Sequence, residues 1–227
     1  MGFRRVVEPR TLPEGAALSA AMAGVGLAVA AAPDYAAPIE DTLFAVSNEG
    51  MERDQLRELA LLTTWWSMHA PFVNADRLFE LVKRSGTARV RAYWAALARA
   101  RKSDPRFLRF APLAPDEEVH LLRVGSLFQL SRRGEDPRFS GGVLRVPEGV
   151  LRARDADVLS PERLARNHRT YRARVLMGPS YRADMWAALE RTPGLSVSAL
   201  ARETYGSIAT ASRVKRDRAL LLAADSP

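Results

Sequence analysis

The segment from Ser207 to Arg216 places basic and small polar side chains at helical spacing. Ala211 and Val214 fall on one side of such a helix, whereas Arg213 and Arg216 fall on the other. A guanidinium group forms paired hydrogen bonds with phosphate oxygens or with the edge of guanine. The side chains that we expect at such contacts are Arg202, Ser207, Thr210, Ser212, Arg213, Lys215 and Arg216, with Arg202 and Lys215 on phosphates.

A second basic cluster precedes this segment. The arginines that we expect to contact phosphates are Arg163, Arg166, Arg169 and Arg172, with Arg174 close behind. Leu164, His168, Tyr171 and Val175 recur among them at helical spacing, which predicts a helix with one apolar side. The alternative is a connecting helix whose basic face is simply solvated. We expect His168 to be a hydrogen-bonded core residue.

Residue types that support catalysis are sparse. The chain has no cysteine, and its three histidines lie about fifty residues apart with no carboxylate at metal-ligand spacing. Asp116–Glu118 and the pair Asp155 and Asp157 fit solvated loops better than paired catalytic carboxylates. The sequence contains no phosphate-binding loop and no nucleophile elbow. We therefore expect neither an enzyme nor a metal or cofactor.

The net charge is unevenly distributed. The chain of 227 residues carries 34 Lys and Arg against 26 Asp and Glu, a formal charge of +8. Residues 1–118 hold 15 of each sign, whereas residues 119–227 hold 19 basic and 11 acidic side chains. An excess confined to one half favours an anionic partner for that half. The 47% of hydrophobic residues exclude a largely disordered chain.

The first half predicts a helical bundle. The apolar spacing and the Pro and Gly breaks give helices at Ala16–Ala32, Ile39–Ser47, Met51–His69, Ala75–Arg84 and Ala88–Lys102. Asn74 and Thr87 are the expected N-caps of the last two. The uncharged run from Gly15 to Pro33 fits a helix of the bundle better than a signal peptide. No stretch reaches membrane-spanning length, so we expect a cytoplasmic protein with no membrane partner.

The middle of the chain has a different pattern. Leu121–Leu130 and Gly142–Val146 are short segments rich in Leu, Val and Phe, which predict a small β-hairpin or a pair of strands. Ser160, followed by Pro161, then begins a helix that we expect to continue to about Met177. No internal repeat is visible.

Three helices fit residues 180–223, with Ser180, Ser196 and Ser207 as their N-caps. This pattern resembles the helix-turn-helix and winged-helix domains of bacterial transcriptional regulators, and the residues that carry the resemblance are Leu200, Ala201, Gly206, Ile208, Ala211 and Val214. The resemblance implies that helix 207–222 reads the major groove of DNA. Gly206 falls one residue later than in the commonest spacing, and residues 223–227 are too few for a β-hairpin wing. Asp217 also places an acid beside the expected binding face.

The whole arrangement predicts a mainly α protein with an N-terminal helical bundle, a small β-hairpin in the middle and a C-terminal tri-helical helix-turn-helix. The expected ranges are 1–118 for the bundle, 119–159 for strands and loops, and 160–227 for a basic linker helix and the helix-turn-helix domain. A weaker resemblance, to the antitoxin-type repressors of abortive-infection systems, implies promoter binding. In that family the DNA-binding element is usually N-terminal, and no motif covers residues 1–118.

The sequence therefore predicts a double-stranded DNA-binding regulator that forms a homodimer, because one recognition helix contacts only a few base pairs. The bundle would carry the dimer contacts or bind another protein, with Trp65 or Leu220 as exposed anchors. The alternative is an antitoxin-like or scaffold subunit whose basic half docks an acidic protein. A nucleic-acid enzyme is the third class of function.

Overall fold

A computed structural model of the chain describes residues 11–224, so the ends of the expected ranges, residues 1–10 and 225–227, lie outside the described part. The chain is mainly helical. Its described part divides into two compact units, Leu12–Pro161 and Glu162–Ala224 together with Thr11, and residues 119–159 belong to the same unit as the helices before them. No helix within residues 11–224 combines the length and the apolarity that a bilayer crossing requires.

The N-terminal unit, Leu12–Pro161, begins with five helices close to the predicted ones. They are α1 (Gly15–Gly24), α2 (Ile39–Glu52), α3 (Leu56–His69), α4 (Ala75–Ser85) and α5 (Ala88–Arg99). Asn74 and Thr87 cap α4 and α5 as predicted, each accepting a hydrogen bond from a backbone N–H three residues on. Helix α1 ends eight residues before the predicted boundary, because Val25 and Leu27 leave the helix to enter the core.

Aromatic side chains fill the centre of this unit. Trp66 packs edge-to-face against Trp94 and Phe107, with ring centroids 5.3 and 4.8 Å apart. Trp65 is fully buried, stacks on His69 and donates a hydrogen bond to the Val25 carbonyl at 2.8 Å. The prediction of Trp65 as an exposed anchor is therefore wrong. Helix α3 is covered on almost every side, so its spacing alone did not define an outer face.

The structure contains a pair of strands, which is one of the two predicted alternatives, whereas the β-hairpin is wrong. The strands β1 (Val119–His120) and β2 (Leu144–Arg145) are two residues long and pair in parallel. A hairpin requires antiparallel strands joined by a short turn, whereas a parallel pair needs a crossover. Helix α6 (Ser126–Arg133) lies in that crossover and occupies half of the first predicted strand. That segment is rich in leucine, which fits a helix as well as a strand, and Gly125 starts the helix from a left-handed conformation.

A four-residue repeat, Asp-Pro-Arg-Phe at 104–107 and again at 136–139, corrects the expectation of no repeat. In each copy the aspartate accepts hydrogen bonds from the backbone N–H and the Nε of the arginine two residues on, at 3.1 and 2.9 Å in the first copy and 3.0 and 2.9 Å in the second. The phenylalanine of each copy is buried. The same local sequence thus forms the same turn twice.

The second unit, described from Glu162 to Ala224, contains the remaining helices. They are α7 (Pro161–Asn167, which starts at the boundary), α8 (Arg169–Met177), α9 (Tyr181–Arg191), α10 (Val197–Glu203) and α11 (Ile208–Ala224). The single helix predicted from Pro161 to Met177 breaks at His168. His168 is buried, as predicted, and its Nδ1 accepts a hydrogen bond from the Tyr171 N–H at 3.3 Å. The imidazole caps a new helix, and a cap residue cannot itself be helical.

Candidate nucleic-acid interface

Helices α9, α10 and α11 pack around one small core. Its buried members are Met185, Ala188, Leu189, Leu200, Ala201, Ala211 and Val214. Each helix contributes a narrow apolar stripe, which is the pattern that their sequences predict. Two consecutive helices joined by a four-residue turn, with a third helix packed on both, form a helix-turn-helix arrangement.

Serine side chains fix the starts of these three helices. The Oγ atoms of Ser180, Ser196 and Ser207 accept hydrogen bonds from the backbone N–H three residues on, at 3.3, 3.1 and 3.0 Å. All three caps were predicted, because a cap depends on residues adjacent in sequence. The Ser207 hydroxyl also lies 2.8 Å from the Thr210 hydroxyl, so both expected contact residues first serve to start α11.

The turn between α10 and α11 has the geometry of a Schellman motif. The Gly206 N–H binds the Ala201 carbonyl at 3.0 Å, and the Tyr205 N–H binds the Arg202 carbonyl at 3.4 Å. Tyr205, with φ of 58°, takes the left-handed position that glycine usually occupies. A Cβ at Gly206 would lie 2.2 Å from the Met185 methyl carbon, so this buried side chain would have to shift for any other residue. The glycine therefore lies one residue after the left-handed position, where it leaves room for Met185.

The outer face of α11 presents the central residues of the predicted site. Ser212, Arg213 and Arg216 are exposed on the side away from the buried Ala211 and Val214. Arg213 forms no ion pair with any residue between positions 11 and 224. Its guanidinium is therefore available to an anion from outside the unit.

The acid beside this face is already paired. The Arg182 guanidinium of α9 binds the Asp217 carboxylate at 2.8 Å, whereas Arg216 lies 3.9 Å from the same carboxylate. The Arg216 side chain remains 70% exposed. Pairing with Arg182 reduces the repulsion that Asp217 would exert on a bound phosphate.

The other two expected phosphate contacts differ from each other. Arg202 is exposed on α10 and forms no ion pair within the described residues. The Lys215 ammonium instead donates a hydrogen bond to the Leu195 carbonyl at 2.5 Å, in the loop between α9 and α10. Lys215 thereby fixes that loop to α11 and lies apart from Arg213.

The earlier arginines do not share one environment. Arg163, Arg166, Arg169 and Arg172 are exposed. The Arg169 guanidinium donates to the Glu190 carbonyl at 3.3 Å. Arg174, next in sequence, is buried, and its Nε binds the Asp184 carboxylate at 2.6 Å.

Tyr171 lies on the same helix. Burial raises the pKa of Tyr171, and the nearby Glu162 carboxylate raises it further, so this phenol stays neutral.

Helix α9 separates these arginines from α11. Ala183 and Ala187 form one side of α9 and pack against Ala173 of α8. Met185 and Leu189 form the opposite side and pack against α10 and α11. At 100° per residue, these two sides of α9 point in nearly opposite directions. The arginines of α8 therefore lie across α9 from α11, and not on the face that carries Arg213.

No metal centre appears within residues 11–224, where His, Asp and Glu form no group of three or more at ligand distance. His69 and His120 each bond other protein groups. The His69 ring nitrogen lies 3.0 Å from the Leu159 carbonyl, and His120 lies 2.9 Å from the Ser126 hydroxyl.

No family model, no curated protein and no solved structure matches this chain. The geometry of the molecule itself must therefore support any functional conclusion.

Proposed function

We propose that the second unit binds double-stranded DNA with α11 in the major groove, and that the protein acts in the cytoplasm as a transcriptional regulator. One observation carries the proposal. Arg213 and Arg216 are exposed on the second helix of a helix-turn-helix, directly opposite the side that packs in the core. A recognition helix needs two such opposite sides, because the buried side packs it in the core while the exposed side contacts the bases.

The distribution of charge over the two units supports the same proposal. Residues 12–161 contain 19 basic and 19 acidic side chains, so that unit is neutral. Residues 162–227 contain 12 basic and 6 acidic side chains. Cations concentrated on the unit that contains the helix-turn-helix would attract DNA from a distance and fix its register.

Each exposed side chain has an expected role. Arg213 and Arg216 would contact guanine edges or phosphates, and Ser212 would contribute a small hydroxyl between them. Arg202, on α10, would bind a phosphate at the edge of the groove. Two copies would bind two half-sites, because one α11 covers only a few base pairs.

A protein partner is the second candidate. Val175 and Leu176 are 46% and 75% exposed on α8, close to Arg172. Apolar residues rimmed by cations are typical of a surface that docks an acidic protein. In that case α8, and not α11, would be the binding helix.

The test compares two double variants that remove the same charge. Arg213→Ala with Arg216→Ala alters the outer face of α11, whereas Arg169→Ala with Arg172→Ala alters α8. Fluorescence anisotropy would measure binding of the full chain to a labelled 30-base-pair duplex of mixed sequence. Circular dichroism would verify that each variant remains folded.

We expect the α11 variant to bind at least tenfold more weakly and the α8 variant to change by less than threefold. Equal losses of affinity in the two variants would mean that DNA binding depends only on net charge, and the groove model would be wrong. Unchanged binding by the α11 variant would exclude that helix from the interface. Absence of binding by the wild-type protein at 50 mM salt would reject the regulator and favour an acidic protein partner.

A further inference from the structure

Three side chains of the N-terminal unit form one hydrogen-bonded row. The Glu118 carboxylate lies 3.1 Å from Nε2 of His120, and Nδ1 of His120 lies 2.9 Å from the Ser126 hydroxyl. An acid, an imidazole and a hydroxyl that are linked in this order are the parts of a nucleophilic serine with its general base.

The acid fixes the tautomer of the imidazole. A carboxylate can only accept hydrogen bonds, so the proton of a neutral His120 lies on Nε2, toward Glu118. Nδ1 is then unprotonated and accepts a hydrogen bond from the Ser126 hydroxyl. A general base removes the proton of an attacking serine along a hydrogen bond in this direction.

The strand pair holds the acid in place. Glu118 and His120 are two residues apart at the start of β1, which places both side chains on the same side of the chain. Arg145 lies opposite His120 in the register of β1 and β2, and its Nε binds the Glu118 carboxylate at 2.7 Å. One carboxylate oxygen of Glu118 therefore contacts Arg145, and the other contacts His120.

Ser126 begins helix α6 at an end that has no side-chain cap. Gly125 precedes it with φ of 71° and has no side chain that could accept a hydrogen bond. Among residues 11–224, no group accepts a hydrogen bond from the backbone N–H of Leu127 or Phe128. These donors beside the serine can stabilise the oxyanion that forms on an attacked carbonyl.

The row reaches the surface, where the residues around the serine are apolar. The serine itself is 8% exposed, and the side chains of His120 and Glu118 are 30% and 46% exposed. Val124, Leu127 and Phe128 are 89%, 72% and 61% exposed, all within two residues of the serine. Large apolar side chains exposed at one place mark a surface that binds an apolar group.

We propose that Ser126 is the nucleophile of a hydrolase for carboxylic esters with an apolar acyl group. His120 is its general base, and Glu118 positions the imidazole. Ser126 Oγ attacks the carbonyl carbon, and its proton passes to Nδ1 of His120. The ester C–O bond breaks, and the alcohol leaves with that proton. Water then attacks the acyl group on Ser126 and loses a proton to His120, which returns it to Ser126 Oγ as the carboxylic acid is released.

The sequence alone does not indicate this serine. The nucleophile-elbow pattern has glycine two residues before and two residues after the serine, and Val124 and Phe128 occupy those positions. The proposal does not rest on DNA binding, and its tests contain no DNA, so either proposal can fail while the other stands.

Labelling of the full chain with a fluorophosphonate tests the nucleophile. The serine oxygen forms a bond to phosphorus, fluoride leaves, and the proton passes to His120. Peptide mapping by mass spectrometry should locate the adduct on Ser126. Ser126→Ala should abolish the adduct at this position, and His120→Ala should slow its formation at least a hundredfold. Ser131→Ala is the matched control, because Ser131 is exposed on the same helix and donates to the Phe128 carbonyl.

Hydrolysis of p-nitrophenyl octanoate tests the positioning role of the acid. Glu118→Gln should lower kcat at least tenfold and leave KM within twofold, because this side chain contacts the base and not the substrate. Glu135→Gln is the matched control, since Glu135 binds the same Arg145 at 3.2 Å. It should leave kcat within twofold. An equal loss of kcat in both variants would show that the network only supports the fold, and would overturn the role of Glu118.

A comparison of two esters tests the substrate class. Leu127→Ser with Phe128→Ser should raise KM for the octanoate at least tenfold and leave hydrolysis of p-nitrophenyl acetate within twofold, because acetate has almost no apolar acyl surface. Leu108→Ser is the control, since Leu108 is 57% exposed at another position of the same unit. An unchanged KM for the octanoate would overturn the apolar acyl group as the preferred substrate.

Two results would overturn the proposal as a whole. The first is a full chain that gains no adduct on Ser126 and hydrolyses the octanoate no faster than Ser126→Ala does. The second is labelling of Ser126 at an unchanged rate in His120→Ala, because the histidine would then not be the base. Circular dichroism of each variant would verify that the loss is not one of folding.

Discussion

Arginine serves two separate purposes in this chain. In the N-terminal unit many guanidinium groups bind backbone carbonyls of distant segments, as Arg57 does to Ala28 at 3.0 Å and Arg99 to Phe139 at 2.9 Å. In the second unit Arg202 and Arg213 are exposed and bind no such carbonyl. A count of arginines therefore overstates the number of guanidinium groups that are open to an anion from outside, and only their positions in the structure give that number.

The buried pair of Arg174 and Asp184 supports a prediction about stability. Asp184→Ala leaves the Arg174 guanidinium buried without its 2.6 Å partner. Breaking a buried pair in this way costs about 3–5 kcal/mol. We expect that loss in the free energy of unfolding, measured by urea denaturation followed by circular dichroism.

The matched control removes both charges together. Arg174→Met with Asp184→Leu replaces the pair by apolar groups and should recover most of the stability lost in Asp184→Ala. A double variant as unstable as the single one would show that loss of the pair itself, and not the buried charge of Arg174, is responsible.

Asp104 supports a prediction about pH. Its side-chain hydrogen bond with Arg106 lowers the pKa of the Asp104 carboxyl below its ordinary value of 3.8. The ionised carboxylate therefore stabilises the folded state at pH above 3.8, and this contribution is lost as pH falls through the lower pKa of the folded state. Asp104→Asn should lower Tm by about 2 °C at pH 7, because partly exposed pairs contribute little.

The difference in Tm between the two proteins should shrink as the pH falls below 3.8 and disappear once the carboxyl is protonated. Scanning calorimetry from pH 2.5 to 7 would measure it. A difference that stays constant over this range would contradict an electrostatic origin.

The residue types of the candidate site could be predicted from the sequence, but their partners could not. The exposed positions of Arg213 and Arg216 follow from helical spacing alone. The bond from Lys215 to Leu195 and the burial of Arg174 depend on how the helices pack. No local pattern specifies that packing.

At the scale of elements, the turn between α10 and α11 is closely packed against α9. A Cβ at Gly206 would overlap the fully buried Met185 side chain. We expect Gly206→Ala to destabilise the fold by about 1–3 kcal/mol, the usual cost of overpacking. Thermal or urea denaturation of the full chain would measure this loss.

Gly194→Ala is the matched control, because open space surrounds Gly194. It should be neutral or slightly stabilising. Met185→Ala combined with Gly206→Ala should cost less than the sum of the two single changes, since each relieves the other. If the two losses of stability add exactly, contact with the Met185 methyl group is not the reason why Gly206→Ala destabilises the fold.

Helices with local caps were predictable, whereas strands and helix breaks were not. Asn74, Thr87 and the three serine caps signal their helices within four residues. The pairing of β1 with β2 joins residues more than twenty positions apart and leaves no local signal. The break at His168 was missed because histidine is a rare capping residue.

For the whole molecule, the neutrality of residues 12–161 leads to a prediction about salt. If the second unit alone binds DNA, the salt dependence of the affinity should depend only on the Lys and Arg side chains of that unit. Removing Arg213 and Arg216 together should reduce the slope of log K against log salt by about 2. Anisotropy titrations between 50 and 250 mM KCl would give both slopes.

Removing two arginines from the N-terminal unit provides the control. Arg132→Ala with Arg133→Ala changes the net charge equally, and both side chains are exposed. The slope should stay the same. An equal change in slope would mean that DNA also contacts the N-terminal unit.

The outer face of α11 takes no part in holding the fold together, and this matters for how the protein can change over evolution. Ala209, Ser212, Arg213 and Arg216 are exposed and contribute nothing to the core that Ala211 and Val214 share with α9 and α10. If α11 is the recognition helix, a lineage could alter these four positions and acquire a new target while its stability stays the same. Selection on recognition and selection on folding would then act on separate residues.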